Sequence, residues 1–270
     1  MFKRKFWTAF KYCFLTIASF ISIYPFAWMV FSSTNRSVDV LAGRMWFGRH
    51  LLQNYRTLLD TTNIWKGFSN SLMIALIVTF FSLVICSLAG YGFEIYHDRA
   101  KDAVMYIILL SMMVPFAAVM TPLFMMMASF GLINNYMGVI LPSLSTAVLI
   151  FLFRQSSHNF PRELVHAARV DGLGELMIFL RMYVPIMRPT YAAAATITFM
   201  GSWNSYLWPL IILQRSEAKT LPIVVSNLLD TNTPDYGIIM LGVLITTFPT
   251  LILFSVLQRS FVNGILGAVK

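Results

Sequence analysis

Charge is scarce in this chain. Only 11% of its 270 residues are Asp, Glu, Lys or Arg, against about 25% in an ordinary soluble domain. From Ala103 to Phe153, 51 consecutive residues carry no charge at all. A helix in water needs a solvated face, so this run argues against a chain folded in water. It is long enough for two bilayer crossings joined by a tight turn. Cysteine is nearly missing too: Cys13 and Cys86 both lie in apolar segments, which leaves no disulfide framework. The four histidines, His50, His97, His158 and His166, lack metal-ligand spacing, and no metal site is expected. The Gly-rich loop with Lys-Ser or Lys-Thr that cradles nucleotide phosphates is missing. No catalytic residue is expected, and this chain alone has no means of hydrolysing ATP. Short alternating strands are missing, which excludes a membrane barrel. A dense basic patch is missing as well, so the net charge of +9 does not point to nucleic acid.

What is present is apolar. Hydrophobic residues make up 58% of the chain. They fall into six candidate spans, roughly 12–33, 68–93, 103–127, 137–154, 189–213 and 236–258. Each is near the roughly 20 residues that cross a ~30 Å hydrocarbon layer as a helix. The fold class expected is an all-α integral membrane protein with six transmembrane helices. The start, MFKRKFW, is basic and precedes an apolar stretch, as in a signal peptide. That stretch runs on to about Phe31 without a small-x-small cleavage site, so it reads as a retained first span. With the amino terminus inside, thirteen of the twenty Lys and Arg fall on the inner side and seven on the outer. Basic residues in short loops favour the cytoplasmic side, so both termini are expected there.

Prolines recur in the spans at Pro25, Pro115, Pro122, Pro142, Pro209 and Pro249. Each removes a backbone donor, giving either a kink that fits a bundle or a hinge beside a pathway. Methionines cluster between Met112 and Met127, as adaptable packing or lipid-facing residues. Near the interior of the fifth span, Ser202, Asn204, Ser205 and Tyr206 supply polar groups. They either line a translocation path or hydrogen-bond one helix to another. The outer segments 34–66, with Asn54, and 214–235 are long enough to meet an external protein.

Residues 155–188 break the apolar pattern. Pro161 suits an early helical position, and a short helix is expected to about Val170. Asp171-Gly172 is a turn signal. A second helix is expected from Gly174 or Glu175, stopping before Pro185. It carries Leu176, Met177, Phe179, Leu180 and Tyr183, while Arg162, Glu163, His166, Arg169 and Arg181 add polar groups. The residues alone leave two readings level: a loop lying on the membrane surface, or an element that docks a soluble partner. For the whole chain they leave a transporter subunit, an ion-coupled carrier and a membrane scaffold. A carrier would place an ionisable group inside the membrane, and none is evident.

This segment resembles the signature loop of bacterial ABC importer permeases, in which Glu-Ala-Ala, two residues and Asp-Gly precede a Phe and a Pro-rich exit. The matching positions here are His166, Ala167, Ala168, Asp171, Gly172, Phe179, Pro185 and Pro189. His166 stands where the family has Glu, and Leu173 where a small residue is common. Further segments are similar to carbohydrate-type permeases: GFSNSLMIA at 67–75, LAGYGFEIYHDR at 88–99, GLINNYMGVILP at 131–142, SWNSYLWPLIIL at 202–213 and QRSFVNGILGAVK at 258–270. The last resembles the tail of membrane subunits related to the inner maltose permease.

The resemblance implies an ABC importer permease fold, with one permease domain over 1–270 and a cytoplasmic coupling-helix hairpin within 155–188. It implies that Glu163, His166, Ala167, Ala168, Asp171, Gly172 and Phe179 form the ATPase-coupling element. It implies a second homologous permease subunit, two ATP-binding subunits that carry ATP and Mg, an extracytoplasmic solute-binding protein, and a di- or oligosaccharide as cargo. No cofactor is expected on this chain. The location implied is the bacterial cytoplasmic membrane, in contact with lipid.

Overall fold

The computed structural model describes residues 2–230 and 233–269, with side-chain surroundings for 7, 8, 10–230, 233–256 and 258. The basic residues Lys3, Arg4, Lys5, Arg259 and Lys270 and the tail motif from 259 onward are outside the described side chains. In chain order the helices are α1 (Phe2–Ser33), α2 (Ser37–Leu41), α3 (Leu51–Thr61), α4 (Ile64–Ile95), α5 (Arg99–Ser111), α6 (Phe116–Ser129), α7 (Tyr136–Ser143) and α8 (Ala147–Ser157). They continue as α9 (Arg162–Val170), α10 (Glu175–Ile178), α11 (Val184–Ile186), α12 (Arg188–Trp203), α13 (Leu207–Ile212), α14 (Leu221–Ser226) and α15 (Tyr236–Val269). No strand occurs among the described residues.

Among the described residues, four helical stretches are long and apolar enough to cross a membrane: Phe10–Ser33, Ile64–Ile95, Tyr136–Ser157, which α7 and α8 share across a short break, and Tyr236–Val256. The other two expected spans are broken more fully, and a proline stands at each break. α5 and α6 meet at a bend of 100°. Pro115 has no N–H for the Ser111 carbonyl four residues back, and its ring would strike that carbonyl; α5 ends at Ser111. Likewise Pro209 cannot bond the Ser205 carbonyl, and the backbone leaves the helix at 204–206 between α12 and α13. α12 alone has 16 residues, about 24 Å, short of the hydrocarbon thickness. The exposed surface of α1 is apolar, with Phe14, Phe20 and Ile21 all well over half exposed, as a lipid-facing helix requires.

The chain sorts into two compact units, residues 1–64 with 224–248 and residues 65–223 with 249–270. In the first, Asn54 is buried and its side-chain amide donates to the carbonyls of Ser33 and Asn35, both at 2.9 Å. Asn54 therefore ties α3 to the end of α1. A Cβ on Gly237 would lie 2.4 Å from the Asn35 carbonyl oxygen, so only glycine admits this approach.

In the second unit, Ile74 and Val78 of α4 pack with Val139, Ile140, Trp208 and Ile212. Further along α4, Cys86 packs with Met105, Leu149, Phe153 and Ala194. A Cβ on Gly90 would sit 2.5 Å from Cβ of Phe153, so α4 and α8 touch nearly backbone to backbone. The connection after α13 is pinned by polar groups. Asn134 accepts from the N–H of Gln214 and of Arg215, and Asn70 donates to the carbonyls of Glu217 and Lys219.

Candidate functional site: a surface hairpin and a cavity at broken helices

The 155–188 segment folds as a helical hairpin on a small core of its own. α9 ends at Val170, as the sequence predicts, but begins at Arg162, with Pro161 at its N-cap in extended backbone and not inside the first turn. The Leu173 N–H bonds the Ala168 carbonyl at 2.9 Å and the Gly172 N–H bonds that of Arg169 at 3.0 Å. This pair of bonds closes a helix end on a left-handed residue, and Gly172 has φ +79°. Any side chain there is strained.

The second arm departs from expectation. α10 passes into a π-helical stretch, Phe179–Tyr183, and then into α11, so it runs through Pro185 rather than stopping before it. The Val184 N–H reaches the Phe179 carbonyl, five residues back. That wide turn leaves Pro185 in the first turn of α11, where its missing N–H costs least.

The structure divides the seven expected coupling residues. Ala168 and Phe179 are buried in a cluster with Tyr91, Phe160, Val165, Ile178 and Tyr183. The Phe179 ring stacks on Tyr183, with centroids 5.2 Å apart, and the Tyr183 hydroxyl shares a 2.6 Å hydrogen bond with Ser157. Glu163, His166, Ala167, Asp171 and Gly172 are exposed. Around them, Val170 is 88%, Leu176 67% and Leu180 53% exposed. Apolar side chains gathered at a polar rim mark a surface that meets another protein or the membrane.

Two charge groups brace the hairpin. Across its turn, Arg169 bonds Glu175 at 2.6 Å, with its guanidinium over the Tyr96 ring at 5.6 Å. The Arg169 hydrogen bond, and then that of Tyr96, holds the Glu175 carboxyl below its ordinary range; the same pairing raises Arg169. At the hairpin's base is Glu94, bonded to Arg162 at 2.8 Å and to His158 at 3.1 Å. Sequence reasoning missed Glu94. Its position after an apolar span was visible, but its partners lie more than 60 residues away.

The second candidate region lies where helices break. One hollow of about 460 Å³ is lined by Phe116, Pro142, Ser143, Ser205, Tyr206, Leu207 and Trp208. Another, of about 390 Å³, shares Pro142, Ser143 and Ser205 and adds Thr146, Thr198 and Ser202 among apolar residues. Non-helical backbone at membrane depth is tolerated where it lines a cavity or is buried in protein, and three helix breaks meet here. Pro142 frees the Gly138 carbonyl, and the Trp208 indole N–H bonds it at 3.0 Å. Of the four expected path residues, Ser202, Ser205 and Tyr206 line these hollows. Asn204 instead turns its amide back to the Met200 carbonyl at 2.9 Å, closing the end of α12. The residues lining both hollows are apolar or uncharged polar.

Residues 82–266 match the model of the family described as binding-protein-dependent transport system inner membrane component. The chain belongs to that family. This inner membrane component is a transport subunit, and its apolar helices are membrane helices. It is 47% identical over 260 residues, 96% of this chain and 95% of the other, to the lactose transport system permease protein LacG of Rhizobium radiobacter. It is 33% identical, over 93% and 92% of the two chains, to the arabinooligosaccharides transport system permease protein AraQ of Halalkalibacterium halodurans. Its fold is that of a chain in the crystal structure of a bacterial ABC transporter involved in the import of the acidic polysaccharide alginate. That likeness has a TM-score of 0.85 at 21% identity and covers 95% of this chain and 97% of the other.

Proposed function

We propose that this inner membrane component is one of two membrane subunits of an ATP-driven sugar importer, with a disaccharide or short oligosaccharide as cargo. Its hairpin, residues 155–188, docks an ATP-binding subunit, and its hollows at the broken helices form one wall of the cargo path. The observation that carries this reading is the hairpin itself: a left-handed turn at Gly172 on a buried core, with Val170, Leu176 and Leu180 exposed beside His166 and Asp171. Its ordered turn and separate core support a rigid docking element.

In this reading the second membrane subunit is homologous, two ATP-binding subunits hold ATP and Mg, and an external binding protein delivers the sugar. Residues 1–270 act as one permease domain with both termini in the cytoplasm. Closure of the ATP-binding subunits moves the hairpin, and the spans alternate between outward and inward openings. This requires different contacts in each state, since a ligand shifts only an equilibrium whose two ends it binds differently. Hydroxyls of Ser202, Ser205 and Tyr206 suit a neutral polyhydroxylated cargo.

The test is the composition of the native complex. The tagged chain, extracted in mild detergent, is expected to bring down one related permease and two ATP-binding subunits by intact-complex mass spectrometry, and cells lacking it should lose lactose uptake. A stable complex without any ATP-binding subunit, under conditions that preserve other transporters, would overturn the reading.

A further inference from the structure

Glu94 sits in the last turn of α4, buried to 6% exposure of its side chain. That position opposes the helix field, because the carbonyl end of a helix disfavours a negative charge. Arg162 is the first residue of α9, where the amide end disfavours a positive one. The two therefore do not serve the helices they stand on. They serve each other: one Arg162 Nη2 donates to the Glu94 carboxylate at 2.8 Å and to the Glu94 backbone carbonyl at 3.3 Å.

Further groups close around this bond. His158, at the end of α8, meets the same carboxylate oxygen at 3.1 Å, and Arg154 Nε lies 3.9 Å from the other. Arg154 also pairs with Asp102 of α5, which meets His97 at 3.0 Å. A single buried carboxylate thus fastens the start of α9 to the end of α4 and, through Arg154, to α5 and α8.

We propose that Glu94 is a positioning residue for coupling: it is the joint through which displacement of the hairpin is passed to the membrane helices. The inference rests on the reading of the hairpin as the ATPase-docking element and names the residue that makes that element effective. A buried ion pair of this kind is weak evidence for stability, since apolar replacements of both partners are often tolerated. Its worth lies in joining elements that must move together. Coupling needs an element whose equilibrium both sites bias, and a helix start held only by packing would slide on the span end.

The test uses the full complex in proteoliposomes, with a Ser202→Cys reporter in a Cys13→Ser, Cys86→Ala background. The readouts are ATP turnover and the rate at which a hydrophilic maleimide modifies residue 202, with and without ATP and vanadate. With Glu94 present, ATP and vanadate should change the labelling rate at least about fivefold, the lower bound of ordinary coupling energies. In Glu94→Gln the complex should assemble and hydrolyse ATP, yet ATP should leave labelling unchanged within about twofold. Glu94→Asp should restore part of the response. Arg162→Gln carries the same expectation and decides the matter should the Glu94→Gln variant fail to assemble. An unaltered ATP response in these variants overturns the inference and leaves the docking reading intact. A parent complex that assembles with ATP-binding subunits but shows no ATP response overturns the coupling inference alone; one that assembles without them overturns both.

Discussion

The hairpin base and the cavity wall belong to the same compact unit and solve opposite problems. At the hairpin, charged side chains do the fastening: Glu94 with Arg162, Arg154 with Asp102, Arg169 with Glu175. At the cavity, uncharged groups do it: Trp208 to the Gly138 carbonyl, Ser82 to the Ser143 carbonyl at 3.3 Å, Asn204 to the Met200 carbonyl. The difference follows from solvent. An ion pair at a membrane edge keeps access to water, whereas a charge at membrane depth is costly. So the region proposed to meet another protein is held by charge, and the region proposed to pass cargo by hydrogen bonds from uncharged side chains to backbone carbonyls at the helix breaks.

The sharpest way to break this contrast is to put a charge where there is none. Ser205→Asp is expected to abolish sugar uptake, since it places an acidic group in an uncharged hollow at the break between α12 and α13, where a charge at membrane depth is costly. Co-purification of the ATP-binding subunit should survive, because the hairpin is untouched. A variant that transports normally would mean that the hollow is already wet and off the cargo path.

Next in size is Trp208→Phe, which orphans the Gly138 carbonyl. The expected cost is about 1–3 kcal/mol, read as a lower thermal midpoint of the detergent-solubilised protein. Pro142→Ala restores a backbone donor to that carbonyl, so in that background the Trp208→Phe change should cost less. Equal costs in both backgrounds would show that the indole hydrogen bond is not the stabilising element.

Gly172→Ala tests the hairpin. A Cβ there meets nothing within 4 Å, so the penalty is the left-handed backbone alone, about 1–2 kcal/mol. Membrane insertion should be unaffected, while sugar-stimulated ATP hydrolysis falls. Normal stimulation would exclude a critical turn at this position.

The smallest expected effect is that of pH on the Arg169–Glu175 bridge. The Glu175 carboxyl titrates below its ordinary value in the folded chain. Its contribution is therefore present at neutral pH and is lost as pH falls through that depressed value. Both side chains are at least one-third exposed, so solvent screens the pair and its contribution is small. Faster amide exchange at Leu173 in acid, abolished in Glu175→Gln, would fit; an unchanged pH profile in that variant would count against the bridge.

The hairpin was largely legible in the sequence. Pro161, Asp171-Gly172 and the apolar set between Ala168 and Tyr183 set its ends and turn by local rules. The overrun past Pro185 was not legible, because the π-helical stretch depends on Phe179 and Tyr183 finding Tyr91. Among the path residues, Ser202, Ser205 and Asn204 look alike in sequence. In the fold Ser202 faces the hollow from α12 and Ser205 from the break at 204–206, while Asn204 turns onto its own helix.

Composition and hydropathy by themselves determined that this is a helical membrane protein, because lipid demands long apolar helices whose backbone is satisfied within the segment. They also marked where the chain leaves the apolar layer, since charge is confined to those places. Tertiary structure alone decided that Gly90 sets α4 against Phe153. It also decided that Glu94 meets Arg162. Those outcomes depend on groups brought together from distant parts of the chain, and no local pattern encodes a partner 68 residues away.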